Sequence, residues 1–134
     1  MLYLDANVFI LPALYKGAKA DAAAEVLRRV RDGETEAITA SLTIDEVVHI
    51  VQKNTTREAG IQVGRAALSM PHLTVANVGA DDIRSALTLM EGKGHPKPRD
   101  AIHAAVALKH NATTVVSDDD IFEKIQGLKR VALA

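Results

Sequence analysis

Apolar residues recur along this chain with two periods, which predict strands separated by helices. Short apolar or β-branched runs bounded by polar residues predict strands at 2–4, 36–40, 73–75, 113–116 and near Val131. Apolar residues three and four positions apart predict helices at 8–15, 21–31, 57–68, 81–90 and 98–108, a helix capped by Ser41 or Thr43, and a short helix at 121–125. This alternation predicts an α/β fold with right-handed crossovers and a mainly parallel sheet.

The length and composition predict one globular domain that spans residues 1–134. A chain of 134 residues buries a single core, and its Gly- and Pro-rich loop at 92–99 is too short to separate two domains. No run of about 18 apolar residues occurs, so we expect no membrane span. The chain has no Cys, which excludes disulfides and thiolate metal sites and fits a reducing cytoplasm.

The charge and the aromatic content limit how this chain can contact nucleic acid. The net charge is −1, aromatics make up 3% and Trp is absent, so neither bulk electrostatics nor a stacking platform is expected. Any such contact must come from a local site. Lys93, Lys97 and Arg99 flank Asp100 and would suit RNA phosphates, although a solvated loop explains them equally well.

Acidic residues stand just after the predicted strands, where a parallel sheet collects its functional groups. In open α/β sheets the site lies outside the carboxyl ends of the strands. The acids come from four segments: Asp5, Asp45 with Glu46, Asp100, and Asp118 to Asp120. Each also has a structural interpretation, respectively a helix N-cap, a solvated helix residue, a first-turn residue and a polar turn.

Such a cluster of acids requires compensation. Two carboxylates about 4 Å apart repel by about 4 kcal/mol at an effective dielectric constant near 20. Protons, a cationic side chain or a divalent cation would relieve this repulsion. Because the chain offers oxygen ligands and no thiolates, Mg²⁺ or Mn²⁺ is favoured over zinc or copper. A carboxylate-held Mg²⁺ suits phosphodiester hydrolysis.

Four segments resemble the motifs of PIN-domain ribonucleases, and in particular the toxins of VapBC-type toxin–antitoxin pairs. They are YLDANVF at 3–9, ASLTIDEVV at 40–48, RDAIHAAVAL at 99–108 and VVSDDDIFEKIQGL at 115–128. The resemblance covers nearly the whole chain. It implies a PIN-like three-layer α/β/α fold with a sheet of four to five strands.

The resemblance also implies a set of site residues. The catalytic acids would be Asp5, Glu46, Asp100 and Asp119. Asp5, Asp100 and Asp119 would hold Mg²⁺, and Mn²⁺ could replace it. Asp119 is favoured because Ser117 and Phe122 fit the Ser/Thr-x-Asp-x-x-Phe pattern of the family around it, and Asp118 is its rival.

Three further polar residues have two interpretations each. Asn7 either supports the metal site, as in the resembled family, or caps the first helix, and Ser117 either bonds a carboxylate or caps the last short helix. His103 lies three residues after Asp100 on the same predicted helix, so the two side chains can share a face. A hydrogen-bonded core histidine is favoured over a metal ligand at this position.

The function that the resemblance implies is a Mg²⁺-dependent endoribonuclease acting as a toxin, with RNA as substrate, an antitoxin as partner and a homodimer as assembly. The apolar positions at 8–15 would then contact the antitoxin, unless the second helix of this chain covers them. Two alternatives stay open. One is a PIN nuclease of RNA processing without an antitoxin, and the other is a non-catalytic α/β interaction module.

Overall fold

The computed structural model describes every residue, Met1–Ala134, and contains the predicted alternation of strands and helices. The strands are β1 (Leu2–Leu4), β2 (Ala37–Ala40), β3 (Leu73–Ala76), β4 (Thr114–Val116) and β5 (Lys129–Val131). The helices are α1 (Ala6–Leu14), α2 (Ala18–Arg31), α3 (Ser41–Asn54), α4 (Arg57–Leu68), α5 (Ala80–Glu91) and α6 (Pro98–Lys109). A short 3-10 helix at Asp120–Lys124 follows β4.

The five strands form one sheet in the order β3-β2-β1-β4-β5, and every neighbouring pair is parallel. The sheet is therefore wholly parallel, which confirms the predicted fold class. β1 lies at its centre, in register with β4 so that Leu4 pairs with Val116. The residues after these two strands, Asp5 and Ser117, consequently emerge side by side at the carboxyl edge.

Helices cover both faces of the sheet, which gives the expected three layers. Alternate residues of the strands enter different cores because side chains of a strand point to opposite faces. Leu4 and Val116 pack on one side with residues of α1, α2 and α3, whereas Tyr3 and Val115 pack on the other side with α6. α5 lies outside α6, against its alanines. None of the helices combines the length and the apolar character that a bilayer crossing needs.

The apolar residues of α1 are covered largely by the chain itself. Val8 and Phe9 are buried in the same core as Ala23 and Val30 of α2, and Leu11 and Leu14 pack against that core. Tyr15, directly after α1, is the large residue that stays exposed. Coverage by the second helix therefore accounts for most of the apolar character of this segment.

Helix ends differ from the prediction where side-chain hydrogen bonds take unexpected partners. α1 begins at Ala6 rather than at residue 8 because Asp5 is its N-cap. The prediction that Ser41 or Thr43 caps α3 is wrong, since no side chain caps this helix. The Ser41 hydroxyl instead accepts a hydrogen bond from the Val78 amide, and Thr43 pairs with the Thr39 hydroxyl.

Candidate active site

Asp5, Glu46, Asp100 and Asp119 converge at the carboxyl edge of the sheet from four separate elements. Asp5 follows the central strand β1, and Glu46 lies on α3. Asp100 lies in the first turn of α6, and Asp119 follows β4. The imidazole of His103 joins two of these acids, since its Nε2 lies 2.7 Å from Glu46 Oε1 and 3.5 Å from Asp5 Oδ1.

Asp5 is buried and serves both the fold and the site. Its Oδ1 accepts a hydrogen bond of 2.8 Å from the Ala6 amide, which caps α1. Its Oδ2 accepts from the Ser117 hydroxyl at 2.6 Å and from Asn7 Nδ2 at 3.3 Å. The carboxylate is thus held at both oxygens, so its position at the edge of the sheet is fixed before any ligand arrives.

Asn7 and Ser117 link the ends of β1 and β4. Asn7 lies inside α1 and does not cap it. Asn7 Nδ2 donates to Ser117 Oγ at 3.3 Å, and Asn7 Oδ1 accepts from the Asp118 amide at 3.2 Å. Ser117 does not cap the last short helix either, and its hydroxyl oxygen accepts from the Asp119 amide at 3.0 Å. Both residues therefore shape the loop that presents the fourth acid.

Asp118 and Asp119 take different environments. The Asp118 carboxylate forms an ion pair of 2.9 Å with Lys19 of α2. Asp119 Oδ1 accepts a hydrogen bond of 3.0 Å from the Ile121 amide and caps the 3-10 helix. Asp119 also lines a cavity of about 270 Å³ together with Asp100, whereas Asp118 does not. Asp119 is therefore the acid that faces Asp100.

Burial and neighbouring charges shift the pKa values of two groups in this pocket. Burial, followed by the negative charges of Asp119 and Asp5, raises the pKa of Asp100 to about 6. Burial alone would lower the pKa of His103, but the hydrogen bond to Glu46 and the charge of Asp5 outweigh it and raise that pKa above its ordinary value. The site is thus an anionic pocket with one buried imidazole.

The basic residues near the site separate into different cavities. Lys97 lines the same cavity as Asp100 and Asp119. Arg99 lines a cavity of about 210 Å³ beside Glu46, together with Asp45, His49 and Ile50. Lys93 lines a third cavity, next to Gln126, and is not brought to the acids. Lys97 and Arg99 therefore flank the acidic pocket on two sides.

Two residues of this region escaped sequence reasoning. His95 lines the cavity of Asp100 and Asp119, and its φ of 44° lies in the left-handed region. Gly94 and Pro96 on either side of His95 predict a turn, but they do not predict that the His95 side chain lies beside these acids. Tyr3, whose hydroxyl lies 2.6 Å from His103 Nδ1, is 100 positions away from it in the chain, so no local pattern connects the pair.

The donor set fits a hard divalent cation, although no three of the acidic or histidine side chains already form a closed metal cage. The converging groups are carboxylates with hydroxyl and amide neighbours, which are the ligands that Mg²⁺ and Mn²⁺ prefer. Burial and the neighbouring charges of Asp119 and Asp5 raise the pKa of Asp100, and a bound cation would relieve the repulsion among these carboxylates.

These features define a three-layer α/β/α protein with an acidic site at the carboxyl edge of a parallel sheet. The model of the PIN domain family matches residues 2–128. The chain therefore belongs to the PIN domain family. A search of curated protein sequences gave no significant match.

Solved structures with the same fold include toxins and toxin–antitoxin complexes. VapC20 of Mycobacterium tuberculosis, a sarcin-ricin loop cleaving toxin, is 16% identical with a TM-score of 0.74, covering 92% of this chain and 93% of that one. A chain of VapBC2 from Rickettsia felis, bound to a promoter DNA fragment, is 21% identical with a TM-score of 0.75 and full coverage of both chains. A chain of DNA-bound VapBC from Salmonella typhimurium is 20% identical with a TM-score of 0.72 and full coverage of both chains. At these identities the likeness concerns the fold.

Proposed function

We propose that the protein is a Mg²⁺-dependent endoribonuclease that hydrolyses RNA phosphodiester bonds as the toxin of a VapBC-type toxin–antitoxin system. The observation that carries this proposal is the convergence of Asp5, Glu46, Asp100 and Asp119 at one edge of the sheet. Mn²⁺ would substitute for Mg²⁺. Such an RNA substrate implies action in the cytoplasm.

The proposed chemistry divides tasks among the residues of the site. Asp5, Asp100 and Asp119 would hold a divalent cation, which supplies polarisation of the scissile phosphate and activation of water for in-line attack. Ser117 and Asn7 orient Asp5 through its Oδ2. Glu46, whose Oε1 lies 2.7 Å from His103 Nε2, is the candidate to orient the attacking water.

The RNA backbone would approach from the basic side of the pocket. Lys97 and Arg99 lie in the cavities on either side of the acids and would bind phosphates that flank the cut. Lys93, which lies in a separate cavity, would contact only a longer substrate. A local basic rim of this kind is consistent with a net charge of −1 for the whole chain.

The proposal includes an antitoxin and a homodimer. Two of the similar structures are VapBC chains, and another is a toxin–antitoxin complex from Klebsiella pneumoniae (18% identity, 96% of each chain covered, TM-score 0.70). Exposed apolar side chains on two helices are available for protein contacts: Ile61 and Leu68 on α4, Ile83 and Leu87 on α5. Light scattering of the isolated chain tests the dimer.

Cleavage of labelled total RNA tests the proposed activity. Wild type is expected to cleave with Mg²⁺ and to stop on addition of EDTA, and Asp100→Asn is expected to be inactive with Mg²⁺ present. Asp81→Asn is the matched control, because Asp81 also lies in the first turn of a helix but is exposed and remote from the pocket. Cleavage that survives both EDTA and Asp100→Asn would contradict the assignment.

The antitoxin part of the proposal has its own test. A toxin is expected to have a neighbouring reading frame for a small DNA-binding protein that binds this chain and suppresses its cleavage of RNA. If the RNA is cleaved but no such protein is encoded or binds, the nuclease assignment stands and the toxin assignment is wrong. A PIN nuclease of RNA processing is then the better description.

A further inference from the structure

His103 is fully buried and still holds polar partners at both ring nitrogens. Nδ1 lies 2.6 Å from the Tyr3 hydroxyl, and Nε2 lies 2.7 Å from Glu46 Oε1. The three residues belong to β1, α6 and α3, so the chain of hydrogen bonds crosses from the centre of the sheet to the acidic pocket. Neither Tyr3 nor His103 has a task in the proposed chemistry described above.

The direction of the bond between His103 and Glu46 follows from its chemistry. An ionised carboxylate only accepts, so Nε2 carries the hydrogen and donates it to Glu46. This holds for the neutral and for the charged imidazole alike. Tyr3, whose pKa burial raises, keeps its own hydrogen and lies within bonding distance of Nδ1. The imidazole is therefore held from the side away from the pocket.

This arrangement matters because a glutamate side chain is otherwise free to rotate. Glu46 is attached to α3 by a flexible stem, and its other surroundings include the open cavity of about 210 Å³. The buried imidazole has no such freedom, since both of its faces lie in the core and its edge meets the Tyr3 ring at 68°. A rigid donor thus restricts a mobile acceptor, which is how a protein orients a catalytic group.

We infer that His103 is the positioning residue for Glu46, and that Tyr3 sets the orientation of the imidazole. The inference rests on the proposed function, in which Glu46 orients the attacking water. His103 touches neither RNA nor the water in this scheme and acts through Glu46. Loss of the contact would therefore lower kcat and leave KM for RNA unchanged.

Two substitutions at residue 103 distinguish positioning of Glu46 from a role in core packing alone. In His103→Gln the side-chain amide reaches the position of Nε2 and can still donate to Glu46. In His103→Asn the amide reaches only the position of Nδ1, so Tyr3 keeps a partner and Glu46 loses its own. We expect His103→Asn to lower kcat about 10- to 100-fold and His103→Gln to restore most of it.

The control is His110→Asn, at the exposed C-terminal end of the same helix, which is expected to cleave like wild type. Melting curves establish that each variant is folded at the assay temperature. Equal kcat values for His103→Asn and His103→Gln would overturn the inference. So would a rise in KM without a fall in kcat, because it would place His103 in RNA binding.

A double-mutant cycle tests whether His103 acts through Glu46. After Glu46→Ala, the substitution His103→Asn is expected to lower kcat no further, since the group that His103 holds is already gone. An undiminished additional loss would show that His103 acts on something else and would overturn the inference.

Nitrogen NMR of the imidazole tests the hydrogen bonds without RNA and without a metal. We expect Tyr3→Phe, which keeps the ring and removes only the hydroxyl, to shift the Nδ1 signal of His103. Glu46→Ala is expected to shift the Nε2 signal. If wild type cleaves no RNA but both signals shift, the proposed function is wrong while the contacts stand. If Glu46→Ala leaves the Nε2 signal unchanged, the inference is wrong whatever the cleavage assay shows.

Discussion

Asp5 shows how one carboxylate is held firmly enough to serve a site. One of its oxygens caps α1 through the Ala6 amide, and the other accepts from the Ser117 hydroxyl at 2.6 Å. These donors give hydrogen-bond partners to the oxygens of a buried carboxylate, which would otherwise be costly to remove from water. The sequence presents a helix N-cap and a site residue as alternative roles of Asp5. The structure combines them, because the two carboxylate oxygens have different hydrogen-bond partners.

Asp100 lacks such donors, and its titration should be visible in the stability of the metal-free protein. Its pKa is raised from 3.8 to about 6, so between these values the folded state keeps a proton that the unfolded state releases. The stability that this proton gives to the folded state is therefore fully present below about pH 4, and it is lost as the pH rises through about 6. Because Asp100 is partly exposed, solvent screening reduces the effect, and we expect the free energy of unfolding to fall by about 1 kcal/mol.

We expect Asp100→Asn to remove this pH dependence. In EDTA the variant should match wild type near pH 4 and exceed its free energy of unfolding by about 1 kcal/mol at pH 7. Urea titrations across this range measure the difference, with Asp81→Asn, an exposed Asp outside the pocket, as the control. A constant offset between Asp100→Asn and wild type at every pH would contradict the shifted pKa.

Residue-scale features divide into those that local sequence reveals and those that it does not. Asp5 follows a predicted strand, and Asp100 and the pair Asp45 and Glu46 lie in the first turns of predicted helices, so position marks all four as candidates, whereas Glu46 is preferred to Asp45 by the family resemblance alone. The preference for Asp119 over Asp118 has a physical basis only in the structure, where Lys19 pairs with Asp118. That partner lies 99 positions away, beyond the reach of any local pattern.

At the scale of elements, periodicity predicts the order of strands and helices because each element buries one face. The apolar pattern predicts a helix over 57–68, and α4 spans Arg57–Leu68. The apolar pattern misses the starts of α1 and α2, which are set by the N-cap Asp5 and by Gly17 with its φ of 120°. Capping depends on where a side chain finds an amide, and the pattern of apolar residues carries no such information.

The contact of α3 with α4 depends on a glycine whose role is close approach. A Cβ added at Gly64 would lie 2.6 Å from Val48 Cγ2, and Val48 has little rotamer freedom in a helix. Overpacking costs about 1–3 kcal/mol, and the better helix propensity of Ala returns about 1 kcal/mol. We expect Gly64→Ala to lower the free energy of unfolding by up to about 2 kcal/mol in urea titrations.

The same substitution in a Val48→Ala background identifies the cause. With the valine methyl groups gone, Ala at position 64 fits, and the propensity gain should make Gly64→Ala neutral or stabilising relative to Val48→Ala alone. An equal penalty in both backgrounds would mean that another contact restricts this position.

For the molecule as a whole, a net charge of −1 means that RNA affinity must depend on a few local cations. If Lys97 and Arg99 each bind a phosphate, removing one should lower the slope of log K against log salt by about 0.7. Fluorescence anisotropy with a labelled RNA and the non-cleaving Asp100→Asn protein measures this slope. Lys53→Ala on α3 is the control, and an unchanged slope in Lys97→Ala and Arg99→Ala would place the RNA elsewhere.

The convergence of four segments on one pocket also ties cation binding to the stability of the entire fold. Asp5, Glu46, Asp100 and Asp119 separate when the chain unfolds, so an ion that they hold together binds the folded state alone. At a concentration of Mn²⁺ about 100 times its Kd, the free energy of unfolding should increase by about 2.7 kcal/mol. Tm should then rise by several degrees. We expect Asp5→Asn and Asp100→Asn to abolish most of this rise, and Asp81→Asn to keep it. An equal rise of Tm in all four proteins would mean that the ion binds elsewhere. If Tm does not rise in wild type, the acids do not bind the cation that we propose to offset their repulsion.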